Sequence, residues 1–365
     1  MNDGRGVVAA SSNRLSLIPH PSSLIPRPSS LIHHPLSTAV SHDVLCLRPQ
    51  VDFQRAGVTP PASLVVNYRA IDDPQLATHI RAARALVIPA VGPKLAGPMF
   101  EGGGVKLVQV TGAGVDRLDE AAMKKLGVAV ANVPGGSNSA VAEYVLASAL
   151  VLLRRLAWAD AEIRNANYVS FRGRMIADNL PGLEGLTVGV VGLGTVGFAV
   201  AEAFHRFGCQ IIYYDPAPRD ARAAAKIGAR AMPLEELLRT ADVVTLHVPL
   251  LPQTRSMIGV RQFSLMKPGA VLIQASRGGV VNEAALITHL VSGRLGGAAI
   301  DVYSTEPPDP DNPLFSLEGE AARRVLFTPH IAGVTRQSSA TLFREAWANV
   351  ERVLVKGEAP FNRVY

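Results

Sequence analysis

From about residue 41 onward, short β-branched apolar runs alternate with longer segments of mixed polarity. The runs Ser63–Asn67, Ala85–Ile88, Lys106–Val110, Val128–Asn132, Thr187–Val191, Gln210–Tyr214, Val243–His247, Ala270–Gln274 and Ala298–Val302 are apolar on both faces. Strands of that kind belong in parallel sheets covered on each side by helices, so the pattern predicts an α/β chain. One helix stands apart. Residues 139–156, starting after Pro-Gly-Gly with Ser or Asn available as cap, are almost all apolar for four turns. A helix apolar all round is buried on several sides, as between domains or at a subunit interface.

The first forty residues follow another rule. Leu15–Pro21, Ser22–Pro28 and Ser29–Pro35 are three near-identical seven-residue units with Pro at 19, 21, 26, 28 and 35. Proline breaks any helix there, and a Ser-Pro composition is expected to stay extended, solvated and disordered. The stretch lacks the unbroken apolar core of a secretory signal and the amphipathic helix of a transit peptide. It is read as a low-complexity leader outside the working protein, with a targeting peptide as the competing reading.

Composition narrows the class. With 365 residues, 48% hydrophobic, 18% charged and 32 Gly, the chain is long and apolar enough for two domains with a sizeable core. Its formal charge of +6 includes +2 from Arg5, Arg14 and Arg27 against Asp3, which leaves +4 for the rest. No basic block with interleaved aromatics accompanies it, so nucleic acid is not an expected partner. The longest uncharged apolar run, residues 144–153, is half of the ~20 residues a membrane span needs. Cys46 and Cys209, in strand-like surroundings, exclude a disulfide framework or a cysteine metal site and place the chain in a reducing compartment, the cytoplasm. No metal site is read.

Residues 187–204 carry the first chemistry. Gly192, Gly194 and Gly197 lie between a strand and a helix. The first glycine serves a tight turn, the second a close backbone approach to pyrophosphate, and the third helix–strand packing. The phosphates then sit on the free N–H groups at the helix start, where Thr195 and Val196 lie. The next strand ends at Asp215, at the spacing of the acid that bonds the adenosine ribose. A carboxylate there repels a 2′-phosphate, so NAD is expected over NADP, with Arg219 and Arg222 close behind to soften the preference.

Three more segments place ionisable residues just after predicted strands, the sheet edge where α/β proteins bind ligands. They hold Arg277 in a glycine-flanked turn, Asp301 and Glu306 before Pro-Pro, and His330 after Thr-Pro. His247, ending a strand before a Val-Pro-Leu loop, reads better as a structural residue near the cofactor.

Taken with Thr-Gly-Ala-Gly-Val-Asp (111–116), residues 132–143, His-Val-Pro-Leu-Leu-Pro-Gln-Thr-Arg (247–255), Met-Lys-Pro-Gly-Ala (266–270), Ser-Arg-Gly-Gly (276–279), Asp-Val-Tyr-Ser-Thr-Glu-Pro (301–307) and Thr-Pro-His-Ile-Ala-Gly (328–333), the chain resembles the D-isomer-specific 2-hydroxyacid dehydrogenase family from about residue 44 onward. The resemblance implies a Rossmann-type cofactor domain, residues 138–332, inserted into a flavodoxin-like substrate domain of residues 41–137 and 333–365, with a cleft between them. It implies a homodimer formed through the cofactor domains. It also implies roles. His330 is the general acid and base, Glu306 fixes its ring and stabilises the charge it carries when protonated, and Arg277 clamps the substrate carboxylate and polarises the carbonyl. Amide groups near Ala113 and Gly114 hold the same carboxylate, and Asp301 meets the nicotinamide carboxamide.

Two departures bear on the substrate. Gln274 stands where many relatives have Asn, a longer amide in the same loop. Pro89-Ala90 stand where phosphoglycerate dehydrogenases usually have Arg-Ser, and only Lys94 or Arg69 offers a substitute cation nearby. The sequence also stops soon after its last predicted helix, which is expected to leave no added regulatory domain. A small 2-oxo acid such as glyoxylate or hydroxypyruvate is therefore the first expectation and phosphoglycerate the second. An NADH-responsive corepressor, resembling the same family, is the alternative of another class.

Overall fold

The structure, a computed structural model, describes residues 42–365. The Ser-Pro repeats lie outside the described residues.

Among the described residues twelve strands form two parallel sheets. The first contains β1 (Val44–Cys46), β2 (Val66–Tyr68), β3 (Ala85–Ile88), β4 (Leu107–Val110) and β5 (Ala129–Ala131) in the order β2-β1-β3-β4-β5. The second contains β6 (Thr187–Val191), β7 (Gln210–Tyr214), β8 (Arg230–Ala231), β9 (Val243–Leu246), β10 (Val271–Gln274), β11 (Gly297–Ile300) and β12 (Val325–Phe327) in the order β12-β11-β10-β9-β6-β7-β8. β3, β4, β6, β9, β10 and β11 are buried along nearly their whole length. That is the two-sided burial their apolar runs predict. Each sheet has a core on both faces. Leu86, Ile88 and Val108 pack on one side of the first sheet against Val44, Val87 and Leu107 on the other. In the second, Val244, Leu246 and Leu272 oppose Val188, Val190 and Ile273.

The long apolar helix runs over Asn138–Leu153, three residues short of the expected end. Arg155 adopts φ +51°, a left-handed conformation that stops it, and a separate helix Leu156–Arg164 follows. Half of the residues of the helix Asn138–Leu153 are buried within one chain. Val141, Val145, Ala149 and Leu152 pack into the second sheet's core beside Val200 and Phe204 of the helix Thr195–Arg206. Among the described residues no helix is long and apolar enough to cross a membrane.

The chain finally returns to the first sheet. In the helix Arg336–Leu354, Phe343, Trp347, Val350 and Leu354 cover the face formed by Val44, Ala85, Val87 and Leu107. Asn349 donates to Gln109 Oε1 at 2.7 Å inside that layer. Val364 donates to Val130 and Val130 to Tyr365, so the last residues cap the β5 edge.

Candidate active site

A cleft of about 560 Å³ lies where the carboxyl ends of the two sheets face each other. Its lining comes from the segments after β1 (Arg48), β3 (Pro89, Ala90), β4 (Thr111–Asp116), β9 (His247–Pro249), β10 (Ala275–Arg277), β11 (Asp301) and β12 (His330). Parallel strands all point their carboxyl ends the same way, so residues far apart in sequence converge at one edge.

His330 is held by its own turn. It has φ +54°, a backbone state costing a non-glycine residue roughly 1–2 kcal/mol. Hydrogen bonds offset that cost. Its N–H donates to Asp301 O at 2.8 Å. The Asp301 carboxylate accepts from Thr328 Oγ1 at 2.6 Å, Ile331 N at 2.8 Å and Ala332 N at 2.8 Å. Asp301 is 1% exposed, and three of its roughly four acceptor positions are taken by this turn. In the described structure Asp301 therefore anchors the histidine, with one acceptor position left for a carboxamide. The sequence reading had given it only the latter role.

His330 Nδ1 lies 2.8 Å from Glu306 Oε2, and Glu306 Oε1 accepts from Tyr303 N at 3.1 Å. Burial pushes the Glu306 carboxyl up, but the bond to His330, the Tyr303 N–H and the nearby Arg277 charge outweigh it and hold it below the usual carboxylate range. Glu306 thus stays ionised, which favours a proton on Nδ1 and leaves Nε2 as the ring's exchangeable site.

Arg277 is clamped from three sides. Its Nε donates to Asp116 Oδ2 at 2.8 Å and its Nη1 to Ser276 O at 2.7 Å. Nη2 lies so close over Gly114 that a Cβ there would be 2.0 Å away. Gln274 spans the loop beneath. It donates to Arg277 O at 2.8 Å and accepts from Ser276 Oγ at 2.8 Å. The longer amide thus finds a partner at each end. Neither amide N–H of Ala113 nor of Gly114 donates to a partner among the described residues, and both residues line the cleft.

The glycine loop fits a dinucleotide. Gly192 has φ +93°, and a Cβ on Gly197 would stand 1.9 Å from Gly192 O. At Gly194 a Cβ would meet nothing within 4 Å, which leaves the approach to the helix beginning at Thr195 open. Val196 also borders the cleft. Asp215 is 4% exposed in its side chain and accepts from Leu193 N, Ala217 N and Arg219 Nε at 2.7–2.9 Å. Burial alone would raise it, yet Arg219 and the two amides hold it low. Arg219 is thereby committed to Asp215, whereas Arg222 bonds Asp220 through its backbone N–H and not through its guanidinium. We expect efficiency with NADH to exceed that with NADPH by at least about 100-fold, the scale of one or two charge contacts. Paired kcat/KM measurements check this, and a preference for NADPH contradicts it. His247 sits beside the loop, its Nε2 paired with Thr245 Oγ1 at 2.9 Å and its ring pushed down to about 3 by burial, hence neutral.

The two cations proposed to replace the missing Arg-Ser pair are elsewhere. Lys94 is exposed, and Arg69 bonds Asn67 Oδ1 at 3.1 Å and lies near Asp73; neither lines the cleft. Arg48, to which the sequence reading assigned nothing, does. So does Asp116, which lay inside a quoted motif without a role. The signal for Arg48 was its place just after a strand-like run, the rule that singled out Arg277.

With this geometry in view, a family model described as D-isomer specific 2-hydroxyacid dehydrogenase, NAD binding domain, matches residues 146–332. The D-3-phosphoglycerate dehydrogenase of Archaeoglobus fulgidus is 38% identical over 234 residues, 64% of this chain and 42% of that protein. The glyoxylate reductase of Korarchaeum cryptofilum is 32% identical over 306 residues, 84% of this chain and 86% of that protein. A solved D-lactate dehydrogenase from Aquifex aeolicus, complexed with NAD and lactic acid, has a TM-score of 0.73 at 28% identity, covering 86% of this chain and 96% of that one. The chain spans about half the length of the curated phosphoglycerate dehydrogenases it matches.

Proposed function

Because the chain belongs to the D-isomer-specific 2-hydroxyacid dehydrogenase family, we propose that it transfers hydride between NAD(H) and a small 2-hydroxy or 2-oxo acid. The observation that carries this reading is the His330–Glu306 pair opening on the same cleft as Arg277.

NADH, when bound, would supply the hydride in the reductive direction. Arg277 and the free amides of Ala113 and Gly114 hold the substrate carboxylate and turn the 2-oxo group toward the imidazole. His330 Nε2 donates its proton to the developing alkoxide and takes it back in the oxidative direction. Glu306 keeps the ring in one orientation and balances its charge. Gly192, Gly194, Gly197, Thr195 and Val196 would hold the pyrophosphate half, Asp215 would hold the ribose, and Asp301 would offer its remaining acceptor position to the carboxamide. Residues 138–332 are the cofactor domain and 41–137 with 333–365 the substrate domain. Following NADH oxidation against a panel of 2-oxo acids, glyoxylate, hydroxypyruvate and phosphohydroxypyruvate included, tests the reading. Turnover of at least one is expected, and turnover of none overturns it.

The free thiols Cys46 and Cys209, buried and pushed up to about 12 and about 11 by that burial, suit a reducing compartment, the cytoplasm. A homodimer is supported by exposed apolar side chains on the helices Leu156–Arg164 and Tyr168–Ala177. Ile163, Tyr168, Val169 and Ile176 are 51–82% exposed there, the type of surface that a partner can cover. Val169→Asp is expected to raise the dimer dissociation constant at least about tenfold, the cost of burying one unpaired charge, as measured by sedimentation. An unchanged mass at every dilution would remove this face from the interface.

A further inference from the structure

Two cations line the cleft, and the substrate carboxylate needs only one of them. Arg277 is the first. Arg48, at the end of β1, is the second, and the lining has no lysine. The lining's carboxylates do not balance Arg48, because Asp116 is paired with Arg277 and Asp301 is engaged by the histidine turn. Arg48 has one carboxylate partner, Asp52, which meets Nη1 at 3.0 Å from outside the cleft lining. Its Nε is buried with no hydrogen-bond partner, while the side chain as a whole keeps 26% of its surface exposed. Its Cζ lies 4.9 Å from the centre of the Phe343 ring, and Phe343 lines the cleft too. A partly desolvated guanidinium with an unpartnered donor is suited to a planar or tetrahedral oxyanion.

We propose that Arg48 is a specificity-determining residue that binds a second anionic group at the far end of the 2-oxo acid, making the preferred substrate a dianion. The proposal rests on the dehydrogenase reading above and deepens it. It also replaces the expectation drawn from Pro89-Ala90, since the cation absent after β3 is supplied from the end of the adjoining strand β1. The distal anion is a carboxylate or a phosphate, and both offer the oxygens this guanidinium needs.

The test is selectivity. kcat/KM is measured for 2-oxoglutarate, which ends in a carboxylate, for phosphohydroxypyruvate, which ends in a phosphate, and for glyoxylate, which has no distal group. The unmodified protein, Arg48→Met and Arg48→Lys are compared, with NADH affinity followed by fluorescence. In Arg48→Met the ratio of dianion to glyoxylate efficiency is expected to fall roughly 10- to 100-fold, the worth of one charge-assisted contact. Arg48→Lys, which keeps the charge but not the fork, is expected to recover part of it. The dianion whose ratio falls identifies the distal group as carboxylate or phosphate. A ratio unchanged in both variants, or all three substrates falling in parallel, overturns the role of Arg48 while the dehydrogenase activity of the unmodified protein stands. If the unmodified protein reduces none of the three or any other 2-oxo acid, the dehydrogenase reading fails and this proposal fails with it.

Discussion

His330→Ala is expected to lower turnover by roughly 10²–10⁴-fold, the usual contribution of a positioned general acid. NADH affinity is expected to stay within about twofold, because the glycine loop and Asp215 lie on other strands and share no hydrogen bond with the imidazole. The loss belongs in kcat, since the alkoxide that needs the proton exists only as the carbonyl is reduced. Glu306→Gln provides the companion measurement. It keeps a hydrogen-bond acceptor at the 2.8 Å position but removes the charge, so its loss is expected to be smaller and to vary with pH differently from the parent. Stopped-flow NADH oxidation with a separate NADH titration checks both. Near-normal turnover in His330→Ala would remove the histidine from the mechanism.

Arg277→Lys is expected to lower kcat/KM by roughly 10²–10³-fold despite keeping the charge, the scale of losing a preorganised donor aimed at developing charge. Nε and Nη1 of the guanidinium are spent on Asp116 and Ser276, and a lysine ammonium has neither the fork nor the reach to serve both and a substrate together. Gly114→Ala approaches the same defect from the opposite side. Its Cβ would lie 2.0 Å from Nη2, so the arginine must move although its chemistry is untouched. If Gly114→Ala retained full kcat/KM, the position of Arg277 over this turn would not matter to catalysis.

Much of this arrangement was legible because parallel sheets write a simple code. Ala85–Ile88, Thr187–Val191 and Gln210–Tyr214 are bounded where their apolar runs begin and end. The strand at Arg230–Ala231 escaped because it is two exposed residues with no run to read. Val325–Phe327 escaped because edge position leaves it only half-buried. The helix end at Leu153 was overrun because apolarity continues past Arg154, while the stop is a backbone conformation at Arg155. Of the site, Arg277, Glu306 and His330 were legible from motifs. The Arg277–Asp116 pair was not, since 161 residues separate the partners and no spacing encodes it. Arg48 was not either, because a lone arginine acquires meaning only when its strand is seen to end at the cleft.

The return of the chain to the first sheet also sets an order of assembly. Every strand of the second sheet has been synthesised by Phe327, before the helix that covers the first sheet. The first sheet is made earlier but completed later. Its exposed face waits for Phe343, Trp347 and Val350, and the β5 edge for Val364 and Tyr365. Until those residues arrive, the first sheet, Val44–Ala131, presents an uncovered apolar surface, which makes it the part of the described chain most in need of a chaperone.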